Sequence, residues 1–211
     1  MFFLSLQTGS AHTVNYLNLI SESRVHALNL IDSLDRKTFL YHDSYHTTQV
    51  VRVTEQLSLE EGLDRKSAEH LSIAAWFHDT GYTDLSDHEQ QSTVNANSFL
   101  QSKKYDSKST ENISRLILAT KISHDPTSKD EEIIRDADLH YLGLENYEER
   151  ANLLRLEWEL CLHKKLTDKE WYQENINFFE SHRFYTASAQ TRFDRNKSLN
   201  LEKIKHLLPT S

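Results

Sequence analysis

The sequence predicts an all-α protein, and three observations carry that expectation. Glycine and proline are scarce, four and two in 211 residues, whereas folds built of strands and tight turns use many of both. Apolar residues recur at a spacing near 3.6 through most of the chain. Three segments read Ser/Thr-x-x-Glu, the mark of a helix start whose first and fourth residues cap each other. No repeat, low-complexity tract or linker divides the chain. A single domain over residues 1–211 is therefore expected, with a core from about 12 to 160 and a C-terminal helical extension from about 161 to 211.

Taken in order, the first helix is expected over about 12–34, with Val14, Leu17, Val25, Leu28 and Ile31 on one side. A second covers about 43–60. A third, about 64–78, follows Asp64 as N-cap and stops near Gly81. "SDHE" at 86–89 opens a fourth helix that runs to about 102, and a fifth spans about 109–121. "SKDE" at 128–131 opens a sixth that ends at Gly143, with Pro126 in the loop before it. A seventh spans about 145–163, and "TDKE" at 167–170 opens an eighth that reaches about 181. The last, about 186–206, has the weakest periodicity.

Composition excludes several classes of function. A net charge of −8 argues against general affinity for nucleic-acid backbones. Cys161 is the single cysteine, so no disulfide forms within the chain and nothing suggests an oxidising compartment. The opening "MFFLSLQTGS" lacks a basic region and is too short an apolar stretch for a signal peptide. No run approaches the length of a membrane span. A soluble, cytoplasmic protein without membrane partners is expected. The compositional oddity is twelve histidines, since histidine is the commonest metal ligand.

Three apolar stripes contain residues that do not belong on them. Val50, Val53 and Leu57 repeat along the second helix, and His46 lies one turn earlier on the same face. Leu71, Ala74 and Ala75 form the stripe of the third, and its next position is His78. Ile134, Ala137 and Tyr141 form that of the sixth, with Asp138 inside it. A lone histidine on such a face is usually satisfied by a carbonyl. An ionised aspartate is rarely buried unless paired or bound to a cation. The three side chains can satisfy one another by hydrogen bonds alone. With Asp79 beside His78, however, they form an oxygen and nitrogen set suited to a divalent transition metal.

These residues resemble the HD superfamily of metal-dependent phosphohydrolases. "FLYHDSYHTTQVV" resembles the family's YHNxxHxxxV segment, "AAWFHDTGY" its AAxFHDxGY, and "RDADLHYLG" its DADLxxLG, in that order from about residue 39 to 160. The resemblance implies an HD-domain helical bundle, here with additional C-terminal helices, holding one or two divalent cations. Manganese, iron, magnesium, nickel and cobalt all suit the ligand set. His46, His78, Asp79 and Asp138 would be ligands, with Asp79 able to bridge to a second metal and to orient the attacking water. The cation would neutralise phosphate charge and acidify that water. The implied substrate is a small phosphomonoester or phosphodiester, often a nucleotide.

The same resemblance makes His42 the general acid for the leaving oxygen, although Asp43 stands where the family has asparagine. A carboxylate there would raise the His42 pKa, or His42 would merely cap the helix start. "FHDTGYTDLSDHEQQS" resembles a subfamily in which a His-Glu pair faces the metal, so His88 and Glu89 are candidates for a second metal. Their alternatives are an exposed histidine and a capping-box glutamate. His124 is a further second-metal candidate. Lys121 and Arg155 are candidates for phosphate or substrate contact, against a solvated lysine and a structural ion pair. Asp136 is expected to support the site by hydrogen bonds or to face solvent, and the aromatics of "EWYQENINFF" are read as core. Two other functions stay open: a diiron oxygenase, which needs both His88 and His124, and a non-catalytic metal-bound sensing domain. The oligomeric state is also open, a homodimer included.

Overall fold

The computed structural model describes residues 8–82, 87–163 and 165–208, with side chains described from residue 18 onward. The described residues form α-helices joined by short loops, with no strand: α1 (Thr8–Asp32), α2 (Ser44–Glu60), α3 (Arg65–Phe77), α4 (His88–Ser102), α5 (Ser107–Leu118), α6 (Lys129–Asp138), a 3-10 turn (Leu139–Gly143), α7 (Tyr147–Leu162), α8 (Asp168–Ser181) and α9 (Ala187–Leu207). The central element is α3. It packs against α1, α2 and α5, and α2 in turn packs against α6. Leu71, Ile73, Ala74, Ala75 and Phe77 of α3 are all fully buried, as an element walled in on several sides requires.

Helix starts follow local chemistry. The carboxylate of Asp43 accepts from the His46 amide at 2.7 Å, and that of Asp64 from the Lys66 and Ser67 amides at 2.8 and 2.9 Å. Thr167 and Glu170 form a complete capping box. The segment at 128–131 forms half of one. Ser128 accepts from the Glu131 amide at 3.3 Å, but the Glu131 carboxylate turns to the Thr127 amide (2.7 Å) and hydroxyl (3.0 Å). Ser86 and the side chains of Val14 and Leu17 lie outside the described residues.

Two expectations about elements are corrected. The buried side of α1 carries Leu19, Ser23, Ala27 and Ile31, and Val25 is exposed. Ser23 and Ala27 are small enough to let α1 approach α3, and close approach outweighs the hydrophobicity of Val25. The sixth helix does not stay α-helical to Gly143. It ends at Asp138 and tightens into the 3-10 turn. Gly143 serves proximity: a Cβ there would lie 2.5 Å from the Cβ of Phe193 on α9.

The C-terminal helices are fastened to the rest by polar contacts as well as by the core. Asp136 accepts from the amides of Tyr185 and Thr186 and from the Thr186 hydroxyl, each at 2.8 Å. Asn200 of α9 donates to the carbonyls of Leu142 and Leu144 at 2.9 and 2.8 Å. Asp136 is thus buried, and its hydrogen bonds go to the chain entering α9.

Candidate metal centre

Four side chains converge where α2, α3 and α6 meet. His46 enters from the first turn of α2, whose start Asp43 fixes. His78 sits just past the end of α3, and its Nδ1–H donates to the Ala75 carbonyl at 2.8 Å. That bond sets the tautomer and turns Nε2 inward. Asp79 follows at once, and Asp138 ends α6. His78 is fully buried, His46 and Asp79 nearly so.

The distances suit a cation. His46 Nε2 lies 3.2 Å from Asp79 Oδ2 and 3.4 Å from Asp138 Oδ1. His78 Nε2 lies 3.0 Å from Asp79 Oδ2, 3.4 Å from Asp138 Oδ1 and 3.4 Å from His46 Nε2. Ligand atoms about 2.1 Å from one ion stand about 3.0 Å apart at octahedral angles and about 3.4 Å at tetrahedral ones. His46, His78 and Asp79 alone offer ligand atoms all within 4.8 Å of one another. Asp79 Oδ2 is moreover buried and meets no donor in hydrogen-bonding geometry, so this oxygen is held in place for something other than a protein donor.

The electrostatics agree. Burial by itself would push both imidazoles toward neutrality, but Asp79 and Asp138 outweigh it and hold the pKa values of His46 and His78 up. Burial would likewise raise the two carboxyls, but the histidines hold both well below the usual carboxylate range. Without a cation the cluster would have to keep protons on its imidazoles to balance two buried carboxylates. A divalent ion replaces those protons and leaves neutral imidazole lone pairs as ligands. The residues therefore fit the group that their chemistry implies.

A second tier surrounds the four. His88, in the first turn of α4, points Nε2 at Asp79 Oδ1 (3.7 Å) and at Glu89 Oε1 (3.5 Å). Burial lowers its pKa, in keeping with a neutral imidazole. His42 lies ahead of α2, not on it, and stacks on Tyr82 at 3.9 Å between ring centroids. Its Nδ1 is bound by the carboxylate of Glu157 on α7, which also takes the amides of Tyr41 and His42 at 2.8 and 3.1 Å. Asp43, not His42, is the helix cap, and the carboxylate at the His42 ring is that of Glu157. Sequence reasoning missed Glu157. The signal was present: it falls on the buried stripe of α7 with Tyr147, Arg150 and Ala151, where a carboxylate is as anomalous as Asp138.

Three candidates stand apart. His124 Nε2 lies 3.0 Å from Glu131, in a cluster with Arg115 and Thr127, and not beside the four converging side chains. Lys121 is paired with Asp87. Arg155 bonds to Glu159 (3.2 Å), Asp168 (2.8 Å) and the Leu166 carbonyl, which is the structural ion pair.

Three of the four converging side chains, His46, Asp79 and Asp138, open onto a cleft of about 580 Å³ and form its floor, with His78 buried behind them. Tyr41, Tyr141 and Trp158 are among its walls. Trp171, Glu174, Asn177 and Phe178 reach it from α8. The α8 aromatics are thus only partly core: Phe179 is buried, whereas Trp171 and Phe178 also face the cleft.

The chain is similar in fold to three bacterial proteins of known structure. Against Bacillus subtilis YpgQ in complex with ADP the TM-score is 0.66 at 18% identity, over 91% of this chain and 94% of that one. Against the Lin1889 protein of Listeria innocua it is 0.64 at 17%, over 92% and 96%. A protein from Lactobacillus plantarum gives 0.66 at 15%, over 90% and 94%. No curated protein sequence matches the chain. The HD domain family model matches residues 43–140, a span that begins at the cap of α2 and takes in all four converging side chains. Over residues 43–140 the chain thus matches the model of the HD domain, a family whose members are generally metal-dependent phosphohydrolases.

Proposed function

We propose that the protein is a divalent-metal-dependent phosphohydrolase of a nucleotide or another small phosphomonoester or phosphodiester. The observation that carries this reading is the meeting of His46, His78, Asp79 and Asp138, with Asp79 Oδ2 buried and unbonded. A cation held there supplies charge neutralisation for the phosphate and a more acidic water. Asp79 would hold a cation through Oδ2, and it turns Oδ1 toward His88, so a second cation would find one imidazole and two carboxylates there, with Glu89. His42 takes the part of general acid. Its Nδ1 is occupied by Glu157, which leaves Nε2 for the leaving oxygen in the cleft.

A nucleotide suits the flat aromatic walls, and the ADP complex of the similarly folded YpgQ is in keeping with that. The diiron reading is weakened because it requires His124, which is held by Glu131. The non-catalytic reading does not account for His42, held by the buried Glu157, facing the same cleft as His46, Asp79 and Asp138. No helix among the described residues is long and apolar enough to cross a membrane, and we place the protein in the cytoplasm.

The test is metal analysis of the purified protein coupled to a nucleotide-hydrolysis panel, run on the wild type and on His78→Ala. The variant is expected to lose both bound metal and activity. Retention of both sinks the proposal.

A further inference from the structure

The cleft above the ligand cluster has an unbalanced wall. Among the described residues that line it none is a lysine or an arginine, while Asp79, Glu89, Asp138 and Glu174 all face it. The two cations expected at a phosphate site are engaged elsewhere, Lys121 by Asp87 and Arg155 by Asp168 and Glu159. Three of the four carboxylates sit at or beside the candidate metal site. Glu174 does not. It comes from α8 and has no hydrogen-bond or ion-pair partner among the described residues. Asn177 and Ser181 follow it on the same helix face at i+3 and i+7 and line the same cleft. Trp171 and Phe178 flank that row with apolar surface. One end of the cleft is thus built for an anion through a cation, and α8 offers an unneutralised carboxylate, an amide and a hydroxyl.

Resting on the hydrolase reading, we propose that the substrate carries its phosphate at one end only. Its other end is uncharged or cationic and bears hydrogen-bond donors, and Glu174 sets this specificity by accepting from such a group and repelling a second anion. A phosphate placed against α8 would meet the Glu174 charge in a partly desolvated cleft without a compensating cation, whereas a hydroxyl or an ammonium would gain an acceptor.

The test is a series of esters differing only at the far end: 6-hydroxyhexyl phosphate, 6-aminohexyl phosphate and hexane-1,6-diyl bisphosphate. Their affinities for the Mn²⁺-loaded protein are measured by calorimetry. The wild type is expected to bind the hydroxyl and amino esters several-fold more tightly than the bisphosphate. Glu174→Lys is expected to shift the ratio of bisphosphate to amino ester by roughly tenfold or more in favour of the bisphosphate, with Glu174→Gln in between. Glu174 is exposed, so both variants should fold. Equal or tighter binding of the bisphosphate by the wild type overturns the proposal, as does an unchanged ratio in Glu174→Lys. The expected ratios in a protein that hydrolyses no phosphoester would uphold the cleft's selectivity and overturn the hydrolase reading alone. Failure to bind any of the three overturns both.

Discussion

Glu157 does two things at once: it holds the backbone of Tyr41 and His42, and it binds the His42 ring. Glu157→Gln keeps an acceptor for the amides but replaces the carboxylate at the His42 ring with a neutral amide. The expected outcome is full metal content with kcat lowered about 10-fold or more for alkyl esters, whose leaving oxygen needs a proton. A 4-nitrophenyl ester, which leaves unaided, should lose little. A uniform loss across both ester types would mean that Glu157 is merely structural. Glu131 gives a prediction about stability. Burial alone would raise its pKa from 4.5, but hydrogen bonds from Thr127, His124 and Arg115 overcome this and hold it at about 2. A carboxyl depressed in the folded state contributes fully above about pH 5, and the contribution fades as pH falls from 4.5 toward 2. Glu131→Gln should therefore be less stable than the wild type by about 2 kcal/mol at pH 7. In urea titrations that gap should close as the solution is acidified. At this scale the convergence of His46, His78 and Asp138 was legible because they interrupt apolar stripes. The ring partner of His42 was not, because 115 residues separate it from Glu157 and periodicity says nothing about such a contact. The partners of Lys121 and Arg155 were not legible for the same reason: what engages them is set by where α4 and α8 begin.

Helix positions were legible from capping and spacing, but which face turns inward was not always so. Val25 was the hydrophobic choice on α1 and lost to Ser23 and Ala27, because the distance between helices is set by the smallest side chains at the contact. Gly81 shows the same principle beside the candidate metal centre. Sequence alone casts it as a helix stop, yet its φ is not positive. What it provides is proximity: a Cβ there would lie 2.3 Å from the His88 carbonyl and 2.4 Å from the Ser92 amide. Both are backbone atoms of α4, so no side chain can yield. Gly81→Ala is expected to push α4 away from the end of α3 and to cost about 2–3 kcal/mol in chemical denaturation. It should also weaken any metal bound through His88 more than metal bound through His46 and His78. A variant as stable as the wild type would show that α4 can shift freely.

At the scale of the molecule, the matched HD domain ends at residue 140, but the structure does not divide there. The 3-10 turn, α8 and α9 share one buried cluster with α2 and α3, and the cleft takes walls from both sides of that boundary. The sequence foretold extra C-terminal helices. It did not foretell that they wall the cleft, because an exposed face and a cleft-facing face share the same polar pattern. Asp136→Ala would strip the Tyr185 and Thr186 amides of their acceptor. A loss of about 2–4 kcal/mol is expected by urea denaturation, with metal affinity weakened several-fold. Undiminished metal affinity would show that α9 docks independently of the centre.

Asp136 and Asp138 stand two positions apart on α6 and so point in widely different directions, one into the entry of α9 and the other into the ligand cluster. A helix slipped by a single residue, or rotated to suit one of them, would misplace the other. Only one register of α6 satisfies both, so the chain checks its own threading twice at one helix end. Uptake of metal by a refolding population would then report that the distant C-terminal third has found its place.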